Sequence, residues 1–83
     1  MTERPRYSVI VRLTVEFDRE EDGRWIAEVM ELSGVMCYGS TRDEAAKKVK
    51  ALALWRLADM LEHDEMSADF TPLDFTEAEA KAA

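Results

Sequence analysis

Apolar residues occupy every second position in the first part of the chain. The alternating positions are Tyr7, Val9, Val11, Leu13, Val15 and Phe17. This is the period of a strand with one buried face. The Asp22-Gly23 pair predicts a hairpin turn, because glycine tolerates a positive φ, and a second strand begins near Arg24. Gly34 allows a sharp bend before a third strand over residues 35–38. The pattern predicts a three-stranded antiparallel meander.

The period changes after Gly39, where Thr41 and Glu44 have the spacing of a helix capping box. A helix is predicted from Arg42 to about Glu62. Its broad apolar face would lie across the sheet. That face contains Ala45, Ala46, Val49, Ala53, Leu57, Met60 and Leu61.

The C-terminal part of the chain predicts a short strand near Thr71–Phe75. Pro72 has no N–H to donate, so this strand is expected at an edge or a bulge. Residues 76–83 are rich in Ala and Glu and are predicted as a short helix or a tail. The fold class is therefore α+β, in the order β-β-β-α-β. We expect one domain over residues 1–83, with its core at about 7–62 and the edge strand and tail in 63–83.

The net charge of the chain indicates which class of molecule it binds. The 83 residues carry a formal net charge of −7, and such an acidic surface disfavours phosphate binding and favours a basic protein. We therefore expect no direct contact with nucleic acid. Cys37 has no second cysteine to pair with, and no apolar run is long enough for a membrane span. These features predict a cytoplasmic protein with no membrane association.

The residue types that catalysis requires are sparse. His63 is the single histidine and lies in an acidic stretch just after the predicted helix. One His and one Cys without ligand spacing argue against a zinc site. The glycines lack the pattern of a phosphate-binding loop, and the middle of the first strand has no acid for a two-metal nuclease. We predict no catalytic, metal-binding or cofactor-binding residues.

Four segments have a characteristic order and spacing: residues 22–29 with the acid-glycine hairpin, the loop 31–35, the helix approach 38–41, and the Glu-Ala pair within 43–45. Together they resemble the HicB-like antitoxin family. Met30 and Ser33 stand where that family usually has proline. The resemblance implies a partial ribonuclease H-like fold without the nuclease site. It also implies that the chain neutralises a small basic ribonuclease toxin of the HicA type.

Two functions remain open. The first is an antitoxin that meets its toxin through an acidic hairpin and nearby aromatics, at Asp18, Glu20, Glu21, Asp22, Trp25, Glu31 and Tyr38. The alternative is a stand-alone homo-oligomer, a dimer or tetramer, that acts as a scaffold or regulator without a toxin. Its predicted interface is formed by Trp55, Ala51, Ala58, Leu73 and Phe75. Structural roles are assigned to Gly23, Gly34, Gly39, Thr41 and Glu44.

Overall fold

The computed structural model describes residues 9–79, which form a four-stranded mixed sheet and a long helix. The elements are β1 (Val9–Arg19), β2 (Trp25–Val29), β3 (Met36–Gly39), α1 (Arg42–Glu62) and β4 (Phe70–Glu79). The strands lie in the order β3-β2-β1-β4. β1 pairs antiparallel with β2 and parallel with β4, and β2 pairs antiparallel with β3. The predicted β-β-β-α-β fold is confirmed.

The two predicted turns depend on glycine. Gly23 has φ 92° and Gly34 has φ 81°, values that residues with a Cβ rarely adopt. In the first turn the Gly23 N–H donates to the Glu20 carbonyl at 2.9 Å, and the Glu20 N–H donates to the Arg24 carbonyl at 2.8 Å. The turn fixes the register of β1 and β2, because hairpin register follows loop geometry.

Helix α1 begins and ends where the sequence predicts. The extended backbone of Thr41 precedes the helix, and its Oγ1 accepts a hydrogen bond from the Glu44 N–H at 3.0 Å. The Glu44 carboxylate accepts from the Ser40 N–H at 2.9 Å. In a standard capping box this second bond comes from the N-cap residue itself, so the cap here is extended by one residue towards β3.

The core lies between α1 and one face of the sheet. Phe17 in the central strand is its largest fully buried side chain. The four helix positions that pack against the sheet are separated by four residues, as one face of a helix requires. The buried residues are Leu13, Val15, Phe17, Ala27, Val29, Val35, Ala45, Val49, Ala53 and Leu57.

Gly39 allows the closest approach between the sheet and the helix. A Cβ added at this position would lie 2.5 Å from the backbone nitrogen of Ala45. Only glycine leaves space for the first turn of α1 to pack directly against the end of β3.

β4 is longer than the sequence predicts. Residues 76–79 continue the strand instead of forming a helix, because they pair with β1 as far as Glu79. Three ion pairs to the helix support this end of the strand: Arg42–Glu79 at 2.6 Å, Arg42–Glu77 at 3.3 Å and Lys50–Glu77 at 2.7 Å. The register shift between Val9 and Val11 falls opposite Pro72, so the proline occupies an irregular position of an edge strand, as expected.

Two predictions fall partly outside the described residues: the start of the first strand at Tyr7 and the tail over residues 80–83. Within residues 9–79, no helix combines the length and the apolar composition needed to cross a membrane.

Candidate protein-binding surface

The sheet has a second face that no described element covers, which we call the open face. Side chains alternate between the two faces of a strand, and the odd-numbered positions of β1 and β2 are those that pack under α1. The open face is therefore formed by Ile10, Arg12, Thr14, Glu16, Asp18, Ile26, Glu28, Met36, Tyr38, Asp74, Thr76 and Ala78.

Acidic and apolar side chains adjoin on the open face. Glu16 lies directly opposite Glu28 across the β1–β2 pair, and Asp18 lies opposite Ile26. On the next strand Tyr38 lies opposite Ile26. A surface pocket at this end of the sheet is lined by Glu16, Phe17, Asp18, Glu20, Ile26 and Glu28.

The acids around this pocket lack cationic partners. Glu16, Glu20 and Glu28 make no ion pair or side-chain hydrogen bond with any residue in the described part of the chain. Asp18 accepts a hydrogen bond from the neighbouring backbone N–H of Arg19 at 2.8 Å. These four carboxylates leave uncompensated negative charge at this end of the open face and in the turn beside it.

Two acids at the end of β4, Glu77 and Glu79, are paired with basic residues of the helix instead. Lys50 lies 2.7 Å from Glu77, and this hydrogen-bonded ion pair lowers the pKa of Glu77. Arg42 pairs with Glu79, which raises the pKa of Arg42. The helix supplies the basic residues on its side of the sheet, whereas on the open face Arg12 pairs with Asp74 at 3.7 Å and leaves the acids around the pocket unpaired within residues 9–79.

Tyr38 lies at the edge of the open face and remains 40% exposed. The guanidinium of Arg24 lies 4.4 Å from the centroid of its ring, a cation–π distance. Asp22 holds Arg24 through an ion pair of 2.8 Å and also accepts the Arg24 backbone N–H at 3.0 Å. The backbone hydrogen bond is the main reason that the pKa of Asp22 is lowered. Asp22 therefore orients Arg24 over Tyr38.

Glu31 ties the loop after β2 to the central strand. Its carboxylate accepts hydrogen bonds from the Thr14 N–H at 2.7 Å and the Thr14 hydroxyl at 2.8 Å. Partial burial alone would raise the pKa of Glu31, but the two hydrogen bonds from Thr14 outweigh it and lower the pKa. The side chain is thus fixed by an intramolecular contact.

The structure separates the residues predicted to bind a toxin. Asp18, Glu20 and Tyr38 come together at one end of the open face, and Glu21 lies in the adjoining turn. Trp25 lies on the helix side, half-buried against the core, with the Arg19 guanidinium 5.3 Å from its ring.

Most residues of the open face were not predicted as binding residues, among them the acids and apolar residues that adjoin at the pocket end: Glu16, Ile26, Glu28 and Met36. Their signal is the even-numbered half of the strand alternation. The apolar half of the alternation identifies only the buried face, and the position of Glu16 opposite Glu28 depends on the register of the hairpin.

A second exposed surface lies on the outer side of α1. Trp55 is 65% exposed and Leu54 is 47% exposed, and both are on the side away from the sheet. Ala51 and Ala58, the other predicted interface residues of the helix, are exposed beside them. Leu73 and Phe75 lie instead on β4. Leu73 is exposed, whereas Phe75 packs against the core with the Lys50 amine 5.7 Å from its ring.

One group of possible metal ligands lies at the end of α1. Asp59, His63 and Glu65 have ligand atoms within 4.8 Å of one another. Arg56 already pairs with Asp59 at 2.9 Å and Glu65 at 3.3 Å, so these carboxylates have a cationic partner. His63 Nδ1 lies 2.8 Å from the Asp59 carbonyl, and this contact, with the Asp59 carboxylate, raises the pKa of His63. The carboxylates of the open face belong to no comparable group among the described residues.

Comparisons with protein-family models, curated proteins and solved structures find no significant match to this chain. The surfaces described above are therefore the basis for assigning a function.

Proposed function

We propose that the chain is a non-catalytic protein-binding module whose open face binds a small basic protein. The observation that carries this proposal is a difference in ion pairing between carboxylates near the open face and carboxylates at the end of β4. Glu16, Glu20 and Glu28 have no cationic partner in the described chain, whereas Glu77 and Glu79 are paired with the helix. A surface with uncompensated negative charge attracts a cationic partner and accelerates its association.

The facing glutamates strengthen the argument. Like charges directly opposite each other in neighbouring strands destabilise a sheet, and Glu16 faces Glu28 in this way. Departures from a local stability rule are concentrated at functional sites. A lysine or arginine of the partner placed between the two carboxylates would remove their repulsion.

The apolar residues of the open face favour a protein over a nucleic acid. Ile26, Met36 and Tyr38 adjoin the acids, and Tyr and Met are well suited to partner contacts because they offer large and adaptable apolar area. Phosphate groups would be repelled by the same carboxylates, since nucleic-acid binding requires cationic side chains.

The resemblance to HicB-like antitoxins suggests which basic protein. A ribonuclease that binds RNA presents a basic surface, and an acidic module that covers this surface would block access of RNA. We infer that the partner is a toxin of this kind and that the chain inhibits it by occupying its RNA-binding surface.

The test compares two isosteric double variants. Glu16→Gln with Glu28→Gln removes two charges from the open face, and Asp43→Asn with Asp64→Asn removes two from exposed positions at the ends of the helix. The partner is isolated by salt-dependent co-purification with the tagged chain from its native host, and is then titrated by calorimetry. We expect binding about tenfold weaker or more for the open-face variant, and no comparable change for the control.

Stability provides a second readout. Removal of the facing charges is expected to leave the free energy of unfolding unchanged or to raise it by a few tenths of a kcal/mol, about the size of a cross-strand pair effect. The isolated partner is also assayed for RNA cleavage with and without the chain. Binding that is weakened equally in the open-face variant and in the control variant would contradict the proposal. A co-purification at low salt that recovers no basic protein would also contradict it.

The second candidate is a stand-alone homo-oligomeric scaffold or regulator. The exposure of Trp55 and Leu54 favours it. Recovery of the chain alone in the co-purification, as a stable oligomer, would favour this function over the antitoxin.

A further inference from the structure

We propose that the outer face of α1 pairs two copies of this chain as antiparallel helices. This inference concerns a different surface from the open face and does not depend on the antitoxin proposal; it gives a geometry to the exposed helix residues on which the second candidate function rests. The outer face carries exposed apolar residues with spacings of three and four, the pattern of a helix that packs against another helix. These residues are Ala51, Leu54, Trp55 and Ala58.

The order of these residues is self-complementary. A two-fold axis between Leu54 and Trp55 places Leu54 of one copy opposite Trp55 of the other. The same axis places Ala51 opposite Ala58, so small residues flank the large central pair on both sides. In a two-fold interface each contact occurs twice, and the alanines allow the helix backbones to approach closely around the tryptophans.

Charges at the two ends fit the same register. The axis places Lys47 opposite Glu62 of the second copy. Neither residue has an ion pair within residues 9–79. They are 15 residues apart in the sequence, or about 22 Å along the helix, so they cannot pair within one chain. A parallel arrangement would instead place Lys47 next to a second Lys47.

The dimer would leave the open face accessible, since α1 covers the opposite face of the sheet. Each dimer would therefore present two open faces directed away from the helix pair. Loss of partner binding and loss of the dimer can consequently be measured separately.

A charge exchange tests the register. Lys47→Glu alone or Glu62→Lys alone places like charges opposite each other at two symmetric positions. We expect either change to raise the dimer dissociation constant roughly tenfold. The double variant restores opposite charges with the net charge of the wild type, and we expect its dissociation constant to return to near the wild-type value. The measurement is analytical ultracentrifugation at low salt.

The apolar centre is tested with Trp55→Ala. Because Trp55 is exposed in the single chain, we expect this variant to keep the circular dichroism of the wild type while it becomes monomeric, and to unfold at the wild-type temperature when both are compared at concentrations below the dimer dissociation constant. A wild-type chain that stays monomeric up to its solubility limit would overturn the proposal. A double charge variant that dimerises more weakly than either single variant would also overturn the proposal. The antiparallel register requires the dissociation constant of the double variant to return to near the wild-type value.

Discussion

Glu31 shows how one charged side chain holds together two distant parts of the chain. Its two hydrogen bonds to Thr14 favour the ionised carboxylate, and the pKa in the folded protein is lowered. Because the pKa is lowered on folding, the contact contributes its full stability at pH values above the pKa of Glu31 in the unfolded chain. This contribution is lost as the pH falls through the folded-state pKa.

We expect Glu31→Gln to lower the free energy of unfolding by about 1 kcal/mol at neutral pH. This is below the usual range for hydrogen bonds to charged groups, because Glu31 is exposed. The difference from the wild type should shrink as the pH falls below about 4. Urea unfolding at several pH values measures both effects. Glu21→Gln removes the charge of a turn residue whose side chain makes no hydrogen bond within residues 9–79, and is the matched control. A difference that does not change with pH would contradict this account.

The role of Glu31 could not be predicted from the sequence. The motif around it indicates a loop, and its charge suggested contact with a partner. Its actual partner, Thr14, is 17 residues away. That proximity depends on the exact register of β1 and β2, which alternation alone leaves undetermined.

Helix α1 is the element that local sequence specifies best. The periodic apolar face and the Thr41 cap act within a few residues, so the predicted bounds agree with the structure. The end of β4 is the opposite case. Residues 76–79 favour a helix by composition, but pairing with a strand some 60 residues earlier in the chain outweighs this local preference.

We expect Thr41→Ala to lower the free energy of unfolding by about 1 kcal/mol, because the hydrogen bond to the Glu44 N–H is lost. Thr41→Ser keeps the accepting oxygen and should retain most of the stability. Denaturant unfolding of the three proteins measures the effect. A serine variant as unstable as the alanine variant would assign the loss to the threonine methyl group instead of the cap.

The molecule as a whole is organised around β1, which pairs with β2 on one side and β4 on the other. Its side chains Val15 and Phe17 are fully buried under the helix. The outer strands β3 and β4 each have one unpaired edge among the described residues. Stability should therefore decrease from the centre of the sheet towards both edges.

Amide hydrogen exchange followed by NMR tests this gradient. We expect the amides of Val15 and Phe17 to exchange only through global unfolding, and those of β3 to exchange faster through local opening. Uniform protection across the four strands would contradict it and would indicate that the sheet opens as one unit.

Because β4 pairs with β1, the sheet can be completed only after β4 has been synthesised. β2 follows β1 after a short turn, whereas 50 residues separate the end of β1 at Arg19 from the start of β4 at Phe70. At ribosomal rates of about 5–20 residues per second, that interval lasts roughly 3–10 seconds. For this time one edge of β1 has free backbone hydrogen-bonding groups beside apolar side chains. The nascent chain is therefore most exposed to aggregation and to chaperones while the helix is being translated.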